Sequence, residues 1–150
     1  MTMGTAKKAS DRNFTTTFLV DSSPREVFDV INDVRAWWTG DIEGRTDELG
    51  AEFTYRYEKL HRTTQKITEL VPGKKVVWRV TDSHIEFVKD RAEWHGTSIV
   101  FDIRRKGDKT EVRFTHVGLV PEVECYDACF EGWTFYMNSL RKLIAKRARR

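Results

Sequence analysis

The chain has 150 residues, 33% of them charged and 39% apolar, which fits one soluble domain with a real core. No apolar run approaches the ~18–20 residues of a membrane span. The net charge is +3, but Arg141, Lys142, Lys146, Arg147, Arg149 and Arg150 supply six of the cations, and residues 1–140 carry 20 basic against 23 acidic side chains. The basic character therefore belongs to the C-terminal end. A solvated helix end is the simple reading, a nucleic-acid or anionic-partner contact the alternative.

Residues 1–12 are small and polar, lack the apolar core of a signal peptide, and are expected to be a disordered tail. A single domain over 13–150 and a cytoplasmic location follow as defaults. Residues 13–21 (NFTTTFLVD) predict a first strand. Ser23-Pro24 with Glu26 three residues after the serine forms a capping-box signature. Val27, Phe28, Val30 and Ile31 give the apolar face of a helix over 24–32, and a second short turn carries the chain to Trp38. Residues 41–50 read as polar and turn-like.

From 51 to 57, Phe53, Tyr55 and Tyr57 alternate with polar residues, as in a half-buried strand. Residues 61–71 predict a second, more polar strand, and Pro72-Gly73-Lys74 a turn before a third at 75–81. Residues 82–94 fit a loop, a short strand or a lid. Residues 96–105 and 110–117 predict a hairpin pair joined at 106–109. Short turns between neighbours imply an antiparallel meander.

Residues 122–147 place Tyr126, Cys129, Phe130, Trp133, Tyr136, Met137, Leu140, Leu143 and Ile144 on one broad helical stripe. Glu122 and Glu124 open it and Lys146 and Arg147 close it, as the helix dipole favours. So apolar a helix needs a sheet to lie against, and the expected architecture is α+β with this helix gripped by the curved sheet.

In order and spacing, several motifs resemble one superfamily. They are Ser23-Pro24-Arg25-Glu26-Val27-Phe28, Trp37-Trp38, the run from Glu69 to Trp78, Gly96-Thr97, Thr115 to Leu119, and Gly132-Trp133 with Tyr136 and Ser139-Leu140. The chain resembles the START/polyketide-cyclase superfamily, the helix-grip or birch-pollen-allergen fold. Within it, it is similar to the branch of activator of heat-shock-protein-90 ATPase homologues, over about residues 13–145. The resemblance implies six or seven antiparallel strands round the last helix, two short helices after the first strand, and a cavity for hydrophobic or amphipathic small molecules. Some members are cyclases or dehydratases. The co-chaperone itself carries a second, N-terminal domain for which this chain has no room, so that activity is not expected to carry over.

Aromatics with polar tips are costly to bury without partners and suit a pocket wall; a large filled aromatic core is the competing reading. The candidate lining residues are Trp37, Phe53, Tyr55, Tyr57, Trp78, Phe101, Phe114, His116, Cys129, Trp133 and Met137. The first expectation is a binding protein for a small hydrophobic or aromatic ligand. The second is a cyclase- or dehydratase-type enzyme with His116 or a pocket tyrosine as acid or base. The third is a protein-interaction or co-chaperone-like module, and a homodimer through edge strands is also open.

No catalytic constellation, nucleophile elbow, phosphate loop or dinucleotide fingerprint is present, so neither a catalytic residue nor a cofactor is assigned. His84 and His95 lack the spacing of a metal site. Cys125 and Cys129 are expected as buried or half-buried thiols, since a disulfide within one helical turn would be strained.

Overall fold

The computed structural model describes residues 13–59, 61–85, 94–122, 124 and 126–148. Its strands are β1 (Phe14–Val20), β2 (Asp41–Gly44), β3 (Glu52–Tyr57), β4 (His61–Val71), β5 (Lys75–Ile85), β6 (Ser98–Lys106) and β7 (Lys109–Val117). They form one sheet in the order β1-β7-β6-β5-β4-β3-β2, with every pair antiparallel. The meander from β2 to β7 follows chain order; the two- and three-residue connections β3–β4, β4–β5 and β6–β7 can only return a strand beside its neighbour. β1 closes the far side by pairing with β7, Phe14 opposite His116 and Val20 opposite Thr110.

Helix α1 (Pro24–Asn32) starts as its sequence dictates. The Glu26 backbone N–H donates to Ser23 Oγ at 3.2 Å, and the Ser23 N–H donates to Glu26 Oε1 at 2.9 Å. This reciprocal pair satisfies two helix-end donors, and Pro24 fills the first helical position. Val27 and Ile31, one turn apart, are fully buried. The second short helix is a single 3-10 turn (Val34–Ala36) that delivers Trp37 and Trp38 to the concave face.

Helix α2 (Tyr126–Ala148) is 23 residues long, about 35 Å at 1.5 Å per residue. It buries Cys129, Trp133, Met137, Leu140 and Ile144, spaced by three and four. The helix-grip expectation holds: an open, seven-stranded curved sheet with a long C-terminal helix and a short one after the first strand.

The structure corrects the sequence reading in three places. Residues 41–44 form β2 rather than a turn, pairing Asp41 with Arg56 and Gly44 with Phe53. An edge strand with a solvated outer face shows no hydrophobic alternation, so its polar composition hid it. The Arg35 guanidinium donates to the carbonyls of Ile42 at 3.0 Å and Gly44 at 2.8 Å, pinning that strand. Next, β5 runs on to Ile85. Residues 82–85 of the ambiguous segment are thus strand, and 86–93 lie outside the described residues.

The third correction concerns Cys129, which is disulfide-bonded rather than a thiol. The contrary expectation assumed a helix from residue 122, whereas α2 begins at Tyr126; Cys125 lies outside the described residues.

Gly44 sits at φ +104°, and a Cβ there would collide with the backbone carbonyl of Glu52. Both strain and clash oppose a side chain. Gly44→Ala is expected to cost about 2–4 kcal/mol in urea unfolding; a loss below about 0.5 kcal/mol would show that β2 is not held in this register.

Candidate functional site

The space between sheet and helix is filled at one end and open at the other. In the filled part Trp37, Phe53, Trp78, Phe101 and Phe114 are each at most 2% exposed. Trp78 meets Phe53 and Phe101 edge-on, both at 5.1 Å between centroids, and Phe101 meets Phe114 at 5.2 Å. Trp37 stacks over Trp78, and its Nε1–H donates to the Ile31 carbonyl at 3.2 Å. Of the eleven candidate lining residues, these five plus His116 and Met137 belong to this packed layer.

The open part is a cavity of about 490 Å³. Around it lie Trp38 and Thr39 from the turn after α1, Tyr55 and Tyr57 from β3, His61 from β4, and Trp94 ahead of β6. Helix α2 adds Ala128, Cys129, Gly132, Trp133, Phe135 and Tyr136. Tyr55, Tyr57, Cys129 and Trp133 are the candidates the structure brings together here. Among the described lining residues none is Lys, Arg, Asp or Glu.

Three hydroxyls form a chain on one wall. Tyr55 and Tyr136 oxygens lie 2.6 Å apart, and Thr39 Oγ1 is 3.0 Å from the Tyr136 oxygen. Two links use two of the three protons, so one O–H is left to donate to a guest. Burial, and then the bond to Tyr136, push the Tyr55 phenol well above its ordinary value, so it stays a neutral donor.

His61 completes the polar set. Its ring meets Trp94 edge-on at 4.9 Å and Tyr55 at 5.5 Å. Burial pushes its pKa down to about 4, so at neutral pH it is an uncharged imidazole.

His116 is fully buried and lies outside the cavity wall. The Trp133 Nε1–H points at His116 Nδ1 at 3.0 Å, so Nδ1 must be the acceptor. Nε2 then carries the proton and donates to Thr97 Oγ1 at 2.8 Å, whose hydroxyl donates to the Trp94 carbonyl at 2.6 Å. A second ring proton would face the indole N–H. Burial, with a smaller contribution from His61, holds its pKa down to about 3. Both nitrogens are engaged, so His116 braces the helix, the sheet and the approach to β6 and offers no proton to the cavity.

Several buried polar atoms find no partner: Trp38 Nε1, Trp78 Nε1, Thr63 Oγ1, Asn32 Oδ1, and both Gln65 side-chain amide atoms. Leaving such a group unpaired costs about 1–3 kcal/mol. Four of the five residues, all but Asn32, belong to the cavity wall or the concave face below it.

Sequence reasoning passed over Trp38, His61 and Tyr136, each of which had a signal. Parity along β4 puts His61 on the face of Thr63 and Gln65, and Tyr136 is one helical step from Trp133. Trp38 was masked by its neighbour, since two adjacent tryptophans leaving a turn do not reveal which faces the open space.

A family model described as activator of Hsp90 ATPase homolog 1-like protein matches residues 21–145. The chain belongs to that family. Among solved structures, the Aha1 dimer from Colwellia psychrerythraea superposes with a TM-score of 0.72 at 24% identity, covering 89% of this chain and 96% of that one. A Mesorhizobium loti protein gives 0.68 at 14%, covering 89% and 98%. CalU16 from Micromonospora echinospora gives 0.62 at 14%, covering 87% and 72%. No curated protein matches. For this AHSA1-family chain the structural likenesses carry the fold. Among the described residues, no helix is long and apolar enough to cross a membrane, and no group of three or more His, Cys, Asp or Glu is placed to hold a metal ion.

Proposed function

We propose that this AHSA1-family chain binds a small, uncharged aromatic molecule in the cavity between the sheet and α2. The observation that carries the reading is a cavity of about 490 Å³ walled by indole and phenol rings with no charged described side chain. That size and lining are typical of small-molecule sites. Affinity comes from removing apolar ligand surface from water, about 25 cal/mol per Å². The hydroxyl chain and His61 orient the guest. A binding role is favoured over catalysis because His61 and Tyr55 are both shifted away from neutrality, each toward its uncharged form.

Calorimetric titration with 2-naphthol tests this. Binding is expected, and Tyr55→Phe should weaken it about tenfold, the value of one hydrogen bond in a dry site. Tyr55→Phe should barely change stability, since Tyr136 keeps Thr39 as a partner. No binding of 2-naphthol, naphthalene or similar two-ring compounds would refute the reading.

The hydroxyl chain also supports a second reading, an acid catalyst of the cyclase or dehydratase kind. It requires turnover of a carbonyl substrate that disappears in Tyr55→Phe. Self-association is a further proposal, since β1 and β2 leave two sheet edges open and the Colwellia protein is named as a dimer. Light scattering that gives only monomer mass would dismiss it.

A further inference from the structure

We infer that the cavity has a second, deeper polar subsite behind Trp38, built from Gln65 and Thr63, that recognises a neutral group able both to give and to accept a hydrogen bond. The inference rests on the binding role proposed above and narrows its ligand. Gln65 and Thr63 are completely buried on the concave face. Neither the Gln65 amide oxygen and nitrogen nor the Thr63 hydroxyl has a hydrogen-bond partner. A carboxamide with both atoms free is matched by a cis-amide, a lactam or an undissociated acid, each of which offers one donor beside one acceptor. A charged group is disfavoured, because no described lining residue would pair with it.

The topology places this pair against the cavity floor. Thr63 lies opposite Tyr55 in the β3–β4 register and Gln65 opposite Phe53. Tyr55 lines the cavity, whereas Phe53 belongs to the filled layer. Trp38 stands between the two regions, touching Tyr55 at 4.7 Å and Tyr136 at 5.5 Å on the cavity side and Phe53 at 6.3 Å and Trp78 at 5.9 Å on the inner side.

Trp38 is not tethered. Its Nε1–H is unpaired, whereas those of Trp37 and Trp133 are held by Ile31 and His116. A guest reaches this floor only when the Trp38 indole turns out of its ring contacts with Trp37, Phe53, Tyr55, Trp78, Trp133 and Tyr136, and its N–H is then an additional donor to the guest. Polar groups buried at a stability cost, with a ligand site beside them, are the pattern expected where recognition is maintained against stability.

The test uses three two-ring probes, naphthalene, quinoline and 2-quinolinone, which present no polar edge, one acceptor, and an acceptor with a donor. Wild-type protein should bind 2-quinolinone at least about tenfold tighter than the other two. Gln65→Met should erase that preference and raise the melting temperature of the ligand-free protein by about 2–4 °C. In unmodified protein, the Gln65 side-chain amide signals should shift on adding 2-quinolinone and not on adding naphthalene. That measurement decides the matter even if the variant fails to fold.

Equal affinities for the three probes, a preference surviving Gln65→Met, or static Gln65 signals would each overturn the subsite while leaving the cavity reading intact. Absence of binding by all three would instead refute the cavity reading itself.

Discussion

Trp133→Ala is expected to be the most damaging substitution on α2, costing about 3–5 kcal/mol for the lost ring alone. Trp133 is 3% exposed and packs on Phe114 at 4.6 Å, on Trp94 nearly parallel at 5.9 Å, and on Trp38 at 5.9 Å. It also donates to His116 Nδ1. Its removal leaves that buried nitrogen unpaired, a further loss of about 1–3 kcal/mol. Trp133→Phe separates the two contributions, because it restores most of the ring and none of the donor. Urea unfolding of both variants should therefore rank alanine well below phenylalanine, and phenylalanine below wild type. Loss of less than about 1 kcal/mol on Trp133→Ala would contradict the packing described here. Because the same ring walls the cavity, Trp133→Ala should also weaken 2-naphthol binding.

Acid should unfold the protein through His116 and His61 before most carboxylates protonate. His116 and His61 have folded pKa values pushed down to about 3 and about 4, chiefly by burial, against about 6.5 in an unfolded chain. The unfolded state then binds protons that the folded state refuses, so the stabilisation is complete above about pH 6.5 and is lost as pH falls. Between pH 6 and 4 each histidine should subtract roughly 1 kcal/mol per pH unit, reaching about 3 kcal/mol by pH 4. His61→Phe keeps a ring at the cavity wall and removes one titrating group, so the stability slope over that interval should be about halved. Urea midpoints at pH 7, 5.5 and 4 read this directly. Equal slopes in the variant and wild type would show that His61 titrates normally.

The architecture was legible because its signals are local. Ser23, Pro24 and Glu26 announce α1, and the capping bonds are those their spacing requires. Alternation in β3 and the three-four spacing from Cys129 to Ile144 mark buried faces that the structure confirms. What stayed hidden depends on neighbours distant in sequence. β2 is a strand only because β3 lies beside it.

The split between filled core and open cavity was equally invisible, since Phe53 and Tyr55 share one face of one strand. Phe53 meets Trp78 across the sheet, whereas the Tyr55 hydroxyl reaches Tyr136 on α2, 81 positions away in sequence. His116 was singled out as a possible acid or base because histidine on a strand face carries no mark of its partners. Trp133 and Thr97 together decide that it is a brace.

Where an aromatic guest sits separates an open cavity from a filled core. The five tryptophans each give one indole N–H signal in a nitrogen-15 spectrum, which makes titration with 2-naphthol a direct map. Trp38, Trp94 and Trp133 line the cavity, while Trp37 and Trp78 lie in the packed layer. Saturable shifts largest at the first three are the predicted result. An unchanged spectrum at millimolar 2-naphthol, or shifts largest at Trp37 and Trp78, would contradict it.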